Sequence, residues 1–512
     1  MLRDAIVENS PVTEYAYGTE STEEGVLSLT TTTRYNAAGQ PLTSTQKQLI
    51  SQLSPTLESK VISVSERGLT STQWSVYNTD TKRTHYSIVP DSDTTAETAT
   101  VDGFAISQKD FSGIVTTATR RYTATGMELA HTDGRGNTTT TVTDIAGRTT
   151  AVTDAAGNVT TTAYCACCDQ PASVTDALGN TTHYRYDIRG RKVAEWGTAS
   201  QPALFAYDEA DNMVSLTTYR NPAADITTDP ADIQGDVTTW VYAPATGLEL
   251  RKTYADNSSV VKTYDAFNRL ETETTARGKV KSHSYESARG LLLSTTYSDS
   301  TTPRSYEYNH LGQLTQVTDA AGIRSIGYNA YGELETDSLL SGGKTHLITE
   351  TRDAMGRSTG YTYAKEGTTL QTVTTGYGAD GRINSAGFLQ GGAAKQFSYE
   401  YLPGTNLMQK LTLPSNMTLT QEYEPNPDLL TSMLYKRSNT GIAHRSYTYD
   451  ALGRPLTRTT SRNNATVTDT FGYNTRSELT SAQVNSAAYA YDYDNIGNRK
   501  TVTIPASVNF FL

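Results

Sequence analysis

Three cysteines lie within four residues, and Cys165, Cys167 and Cys168 are the only cysteines in the chain. Closely spaced thiols can hold a soft metal ion or form a disulfide. Cys-x-Cys-Cys is not a zinc spacing, no fourth ligand is obvious, and adjacent cysteines bond to each other only with strain. The pattern favours a variant turn with small side chains over a metal or redox site, and the role of the three thiols stays open.

One glycine motif resembles a nucleotide-binding loop. The segment Gly376-Tyr-Gly378-Ala-Asp-Gly381 fits the spacing G-x-G-x-x-G. That motif must open a helix to place the pyrophosphate at the helix N-terminus, and the residues after Gly381 show no helical periodicity. We therefore predict a turn at Gly378–Gly381 and no bound cofactor.

The remaining candidates for catalysis are weak. The seven histidines are scattered, and the chain contains no H-E-x-x-H, G-x-S-x-G or P-loop motif. Glu271 and Glu273 share one face of a predicted strand, but a glycosidase needs two carboxylates across a cleft. The sequence predicts a protein that is not an enzyme, with no catalytic, cofactor-binding or metal-binding residues.

Composition points to a sheet rather than to a helical or membrane protein. The 512 residues include 33 tyrosines, 38 glycines, 36% hydrophobic and 19% charged residues. Tyrosine and threonine suit half-exposed pleated strands, whereas a doubly wound α/β enzyme needs aliphatic central strands. A net charge of −11 disfavours nucleic acid as a partner. We expect no membrane span, because no long apolar run occurs, and no signal peptide is visible at the N-terminus.

A short repeat organises the chain. Its unit is Asp/Asn-x-x-Gly, and in one stretch the glycines Gly147, Gly157, Gly179 and Gly190 are 10, 22 and 11 residues apart. Asp or Asn can bond to the backbone two residues ahead, and Gly accepts a positive φ, so each unit predicts a type I turn with a bulge. About six residues, the typical length of a strand, lie between turns.

The strands between these turns lack an aliphatic face. Many enter the turn as Tyr-x-Tyr, as at Tyr184/Tyr186 and Tyr447/Tyr449, and others are runs of threonine. Residues two apart share a strand face, so both faces of the sheet are wetted over much of their area. We predict an all-β fold of antiparallel β-hairpin repeats, with about 48 strands, wound into a spiral ribbon or a partial hollow shell.

These residues resemble the RHS/YD-repeat family, whose unit is Tyr-Asp-x-x-Gly-Arg-Leu followed by a threonine-rich strand and Asp-x-x-Gly-Asn. The segments Tyr186–Arg191, Tyr449–Arg454 and Tyr264–Leu270 match it closely. The resemblance implies a hollow cocoon of β-hairpins. In bacterial Rhs toxins and toxin-complex subunits the cocoon encloses a C-terminal toxic domain, and in animal teneurins a similar barrel serves adhesion.

The resemblance sets the expected domains and function. We expect divergent β-rich repeats over 1–119, an RHS/YD-repeat shell over 120–503, and a non-repeat end over 504–512 that suggests a truncated or frame-shifted frame. The expected function is a non-enzymatic shell fragment of a secreted or cell-surface polymorphic toxin. Its partner would be a C-terminal toxin, effector or core segment missing from this chain. The alternatives are an adhesin that binds carbohydrate or a cell-surface protein and, with less support, a β-rich glycosidase.

Overall fold

The structure, a computed structural model, describes residues 13–53, 56–77, 82–88, 95–166, 169–220, 228–390, 392–425, 428–438 and 440–504. Strands make up 64% of these described residues. The described residues form 42 strands and one short 3-10 helix at Pro230–Asp232. None of their helices is long and apolar enough to cross a bilayer.

The strands follow one another along the chain with short connections. The first half comprises β1 Glu14–Thr22, β2 Gly25–Tyr35, β3 Pro41–Gln52, β4 Leu57–Val64, β5 Thr70–Tyr77, β6 Lys82–Ile88, β7 Ala96–Val101, β8 Phe104–Lys109, β9 Val115–Thr123, β10 Gly126–Thr132, β11 Thr138–Asp144, β12 Thr149–Thr153, β13 Val159–Tyr164, β14 Pro171–Thr175, β15 Thr181–Tyr186, β16 Lys192–Gly197, β17 Ala203–Tyr207, β18 Met213–Thr218, β19 Asp236–Tyr242, β20 Glu249–Thr253 and β21 Ser259–Tyr264.

The second half comprises β22 Leu270–Thr274, β23 Val280–Tyr285, β24 Leu292–Tyr297, β25 Arg304–Tyr308, β26 Leu314–Asp319, β27 Gly322–Tyr328, β28 Leu334–Ser341, β29 Lys344–Arg352, β30 Ser358–Lys365, β31 Thr368–Tyr377, β32 Ile383–Gln390, β33 Ala393–Tyr401, β34 Met408–Leu413, β35 Met417–Tyr423, β36 Leu430–Arg437, β37 Thr440–Tyr449, β38 Pro455–Arg462, β39 Ala465–Tyr473, β40 Leu479–Val484, β41 Ala487–Tyr493 and β42 Arg499–Thr503.

All 42 strands belong to one antiparallel sheet in which successive strands pair. The pairing slips by one residue just before many turns, as between Thr448 and Tyr449 of β37. Such a slip is the bulge that accompanies a five-residue turn. We call the side of the ribbon with turns after odd-numbered strands the odd side, and the opposite side the even side.

The chain forms two compact units. Unit 1 contains 1–118, 133–135 and 282–415, and unit 2 contains 119–132, 136–281 and 416–512. Within each unit, an early stretch and a late stretch of the ribbon lie side by side, and we call them the first pass and the second pass. In unit 1, the even-side turn after β8 meets the odd-side turn after β31, an offset of 23 strands.

The hydrophobic core is thin. The buried apolar side chains among the described residues include Leu27, Leu57, Ala194, Tyr219 and Leu419, widely separated along the chain. The total exposed surface is 29777 Å², whereas a compact protein of this mass would expose about 18,000 Å². The strand ladder therefore supplies much of the order that a core supplies elsewhere.

The predicted fold class is confirmed: the chain is all-β, made of antiparallel hairpin repeats, and forms a spiral ribbon. The described residues form 42 strands, against about 48 expected for the whole chain, and many of them are longer than six residues. The domain boundaries at 119 and 503 stay a prediction. The expected non-repeat end lies outside the described residues, apart from Ile504.

Candidate functional site

The Asp-x-x-Gly unit forms the predicted five-residue turn. At Asp450, the backbone N–H of Gly453 donates to the Asp450 carbonyl at 2.9 Å, and the Asp450 N–H donates to the Arg454 carbonyl at 3.0 Å. The Asp450 carboxylate also accepts the N–H groups of Leu452 and Arg454. Gly453 has φ +75. The first carboxylate contact was predicted, and the second was missed.

The fifth position of the turn explains the arginine of the repeat. Arg454 Nε donates to Asp450 Oδ2 at 2.7 Å, and both side chains are largely buried. Arginine or asparagine bonds to the turn aspartate in the same way elsewhere, at Arg148, Asn158, Asn180, Arg191, Asn212, Arg269, Arg357 and Asn498. The side-chain pair therefore fixes the turn and closes the hairpin.

The electrostatics of the turn follow from these bonds. Burial raises the pKa of the Asp450 carboxyl, but the bonds from the Arg454 side chain and from two backbone N–H groups outweigh it. The pKa of Asp450 consequently lies below its ordinary value. The carboxylate is a charged structural group at neutral pH and carries no proton to transfer.

The tyrosine before most odd-side turns ties its turn to the preceding turn on the same side. The Tyr449 hydroxyl donates to the carbonyl of Leu430, the first residue after the preceding odd-side turn. Ten other tyrosines repeat this bond at 2.7–3.0 Å, namely Tyr164, Tyr207, Tyr242, Tyr264, Tyr308, Tyr328, Tyr377, Tyr401, Tyr473 and Tyr493. This hydrogen bond was not predicted from the sequence. The tyrosine that directly precedes the turn aspartate in many repeats could have indicated it.

The turn arginine also reaches the next repeat. The Arg454 guanidinium lies 4.9 Å from the ring centroid of Tyr473, and its Nη1 donates to the Asn474 carbonyl at 3.1 Å. Arg191 and Arg382 do the same for Tyr207 and Tyr401. Aspartate, arginine and tyrosine thus form a recurring set of contacts between successive turns on the odd side.

A different set of contacts joins the two passes of unit 1. Arg67, in the even-side turn after β4, lies with its guanidinium carbon 3.9 Å from the ring centroid of Tyr331, in the odd-side turn after β27. Its Nη2 also forms an ion pair with Glu333. Only 17% of the Arg67 side chain is exposed. We call this set the Arg67 joint.

Glu333 receives bonds from both passes. Asn329 Nδ2 donates to Glu333 Oε2 at 2.8 Å within the second pass, and Arg67 donates from the first. Burial raises the pKa of Glu333, but these two bonds and the charges of Arg67 and Arg352 outweigh it. The pKa of Glu333 is therefore below its ordinary value, and the carboxylate is charged at neutral pH.

Two clefts and one backbone contact accompany the Arg67 joint. A cleft of about 680 Å³ is lined by Met355, Arg67 and hydroxyl-bearing residues such as Thr30 and Ser63. A second cleft, of about 360 Å³, lies between Phe111 of the first pass and the turn at Gly378. Gly134 and Gly404 are so close that a Cβ atom on Gly134 would collide with the Gly404 carbonyl oxygen.

Unit 2 has a comparable joint. A Cβ atom on Gly497, in the turn after β41, would collide with the Gln201 amide, in the turn after β16. The positive charge of Arg220, after β18, contributes to a lowered pKa of Asp494. Burial again raises the pKa of this carboxyl, but hydrogen bonds from Asn498 and Ile496 outweigh the effect of burial. In both units the even side of the first pass meets the odd side of the second.

The structure does not gather the residues considered for chemistry. Cys165 is disulfide-bonded, while Cys167 and Cys168 lie outside the described residues. Gly378–Gly381 is a repeat turn, as predicted, closed by a 2.9 Å bond from the Gly381 N–H. Glu273 pairs with Lys281 at 2.8 Å. Among the described residues no group of three or more His, Cys, Asp or Glu side chains could hold a metal ion.

Comparison with known proteins identifies the repeat. Residues 169–195 and 287–324 match the family described as RHS Repeat. These two segments of the chain are RHS repeats. Both matched segments contain odd-side turns, at Asp187 and at Asn309, with the hydrogen bonds described above. No curated protein matches the chain.

Two solved structures have a fold similar to that of this chain. The crystal structure of TcdB2-TccC3 has a TM-score of 0.59 and 17% identity, over 97% of this chain and 28% of that one. TcdB2-TccC3 without its hypervariable C-terminal region has a TM-score of 0.62 and 16% identity, over 97% and 26%. The RHS-repeat chain therefore spans about a quarter of the length of these structures.

Proposed function

We propose that this RHS-repeat chain is a non-enzymatic part of a secreted or cell-surface shell that encloses a toxin or effector polypeptide. The observation that carries the proposal is the side-by-side arrangement of two ribbon passes in each unit. A sheet with few buried apolar residues can serve as a wall, with the joints closing it laterally.

The chemistry of the turns supports a structural role. The carboxylates of the repeat accept hydrogen bonds from turn N–H groups and from arginine, as Asp450 does from Arg454. The lowered pKa of Asp450 leaves its carboxylate charged, whereas a general acid needs a raised pKa. The side chains that recur most often along the ribbon therefore have structural partners.

The comparisons supply the remaining support. TcdB2-TccC3 has the same fold, and one of its structures is described as lacking a hypervariable C-terminal region. A constant ribbon followed by a variable segment fits a shell with interchangeable contents. By this analogy the partner of the present chain is a toxin, effector or core segment that continues its C-terminal end.

Protection against protease tests the proposal. Residues 1–512 are co-expressed with the polypeptide encoded immediately downstream, and the purified product is treated with trypsin. We expect the downstream polypeptide to co-purify and to be cleaved at least about tenfold more slowly than when it is expressed alone. Electron microscopy of the same sample should show a discrete hollow particle.

Three results would overturn the proposal. They are cleavage of the downstream polypeptide at its free rate, toxicity of residues 1–512 alone in a bacterial host, and hydrolase activity of the chain on glycan substrates. Specific binding on a glycan array without any protection of the downstream polypeptide would favour the adhesin instead.

A further inference from the structure

We infer that the Arg67 joint is a seam along which the two passes of unit 1 separate while the strand ladder of each pass stays intact. This conformational property does not depend on what the ribbon encloses. It would allow a gap to form in the wall without unfolding.

The contrast between ladder and joint is the first argument. Within each pass, consecutive strands are paired through their backbones over their length, as in β4–β5 and β27–β28. Across the joint, the contacts described above come from turn residues and side chains: Arg67 with Tyr331 and Glu333, and Gly134 with Gly404. Separating the passes therefore leaves the backbone pairing of both untouched.

The joint is also incompletely satisfied. Arg352 Nε is buried and lacks a hydrogen-bond partner, although Glu333 Oε2 lies 3.6 Å away. The joint of unit 2 shows the same feature, since Ser200 Oγ and Glu478 Oε1 are buried without a hydrogen bond. A buried polar atom without a partner is costly, and opening the joint would return these atoms to water.

Arg67 is the residue that offsets this cost. Its guanidinium has one face on the Tyr331 ring and an edge on Glu333, which is the stacked and ion-paired arrangement that arginine favours. It also lies close enough to Gly356 to contact a Cβ atom added there. A single side chain of the first pass thus contacts one turn of the second and lies beside another.

The test is the variant Arg67→Ala in the full chain, with two readouts. Hydroxyl-radical oxidation of Met355, which lines the cleft beside Arg67, reports opening of the seam. Amide hydrogen exchange in β4, β5, β27 and β28 reports the ladder. We expect Met355 oxidation to rise about tenfold, as for loss of a partly buried ion pair, with ladder exchange unchanged.

Arg324→Ala is the matched control. Arg324 forms an ion pair with Asp337, which lies on the neighbouring strand of the same pass, in the same unit. Its loss should leave both Met355 oxidation and ladder exchange as in the wild type. Raising the salt concentration to about 1 M should reproduce the Arg67→Ala result in part, because screening weakens the ion pair.

A second variant tests the seam if Arg67→Ala fails to fold. Gly134 does not have a left-handed backbone, so Gly134→Ala adds only a Cβ atom, which collides with the Gly404 carbonyl oxygen in the second pass and with the Ile114 side chain in the first. We expect faster amide exchange in the turns 133–137 and 402–405. The exchange rates of the flanking strands should not change. Loss of protection across whole strands in a variant, or unchanged Met355 oxidation in folded Arg67→Ala, would overturn the inference.

Discussion

The even side of the ribbon carries two kinds of turn. In the first pass most of the described even-side turns have five residues, as at Ser65–Leu69 and Asp176–Asn180, and they close with an i to i+4 backbone pair. From Asp319 onward the described even-side turns are mostly two-residue hairpins, such as Gly342–Gly343 and Asn463–Asn464, with positive φ at both positions.

The difference shows what the longer turn is for. A five-residue turn holds a side chain such as Arg67 or Phe111 out from the strand ends, where the second pass meets it. A two-residue turn of glycine or asparagine reverses the chain but carries no long side chain that could reach the second pass. The long turn thus combines two tasks, closing the hairpin and joining the passes, and the short turn performs only the first.

Exchanging the turns should have the largest effect. Replacing Ser65–Leu69 with an Asn-Asn hairpin removes Arg67 and also rebuilds the connection between β4 and β5, so it should lower the free energy of unfolding of unit 1 by about 2–3 kcal/mol. The reverse replacement, a five-residue turn at Asn463–Asn464, should cost about 0.5 kcal/mol, because lengthening a surface turn is cheap. Denaturant unfolding measures both, and equal effects would remove the distinction between the turns.

Gly179 tests the backbone of the long turn. Its φ of +83 confirms the predicted left-handed position, so Gly179→Val should destabilise by about 1–2 kcal/mol. Hydrogen exchange should show the loss in the neighbouring strands, because repeats couple mainly to neighbours. Gly441→Val is the control, since Gly441 lies in a strand with ordinary φ and space for a Cβ atom. Uniform loss of protection would contradict local coupling.

Asp450 tests the side-chain cap that the two-residue turns lack. Asp450→Ala removes the acceptor of two backbone N–H groups and the partner of Arg454, which should cost about 2 kcal/mol. Asp450→Asn should cost less than half as much, because Asn474 caps its own turn with the same two bonds. Thermal unfolding compares the two, and equal losses would show that the charge, not the cap, matters.

The tyrosine bond should have a smaller effect. Tyr449→Phe removes the hydroxyl that donates to the Leu430 carbonyl at 2.6 Å, with an expected loss of about 1 kcal/mol. Tyr447→Phe is the control, because its hydroxyl has only a weak contact with the Met433 sulfur. The measurement is denaturant unfolding, and the bond would be unimportant if the two variants behaved alike.

The smallest expected effect is that of acid on the Arg67 joint. The pKa of Glu333 is lowered in the folded state, so its contribution is complete above the unfolded pKa of about 4.3. It is lost as the pH falls through the lower folded value. The facing charged groups are Arg67, Arg352 and Glu350. Met355 oxidation should be equal at pH 7 and 5 and should rise as the pH falls below about 4.3, and oxidation that rises already between pH 7 and 5 would contradict the expectation.

Local structure was predictable because each turn depends on its own five residues. Aspartate and glycine at fixed spacing determine the turn, and the length between turns determines the strand. On this basis the motif at Gly378–Gly381 was correctly distinguished from a nucleotide-binding loop and predicted to be a turn. The tyrosine bond was within reach, since it joins neighbouring turns, but it required the strand register.

The sequence by itself determined the all-β class, the hairpin repeat, the turn positions and the thin core, because these rest on contacts between near neighbours. Only the tertiary structure decided that Arg67 meets Tyr331 and Glu333, 266 residues away in the case of Glu333. Each strand adds a small twist, and the accumulated twist sets which turns face one another. No local sequence motif encodes this accumulated twist, so the Arg67 joint could be found only from the tertiary structure.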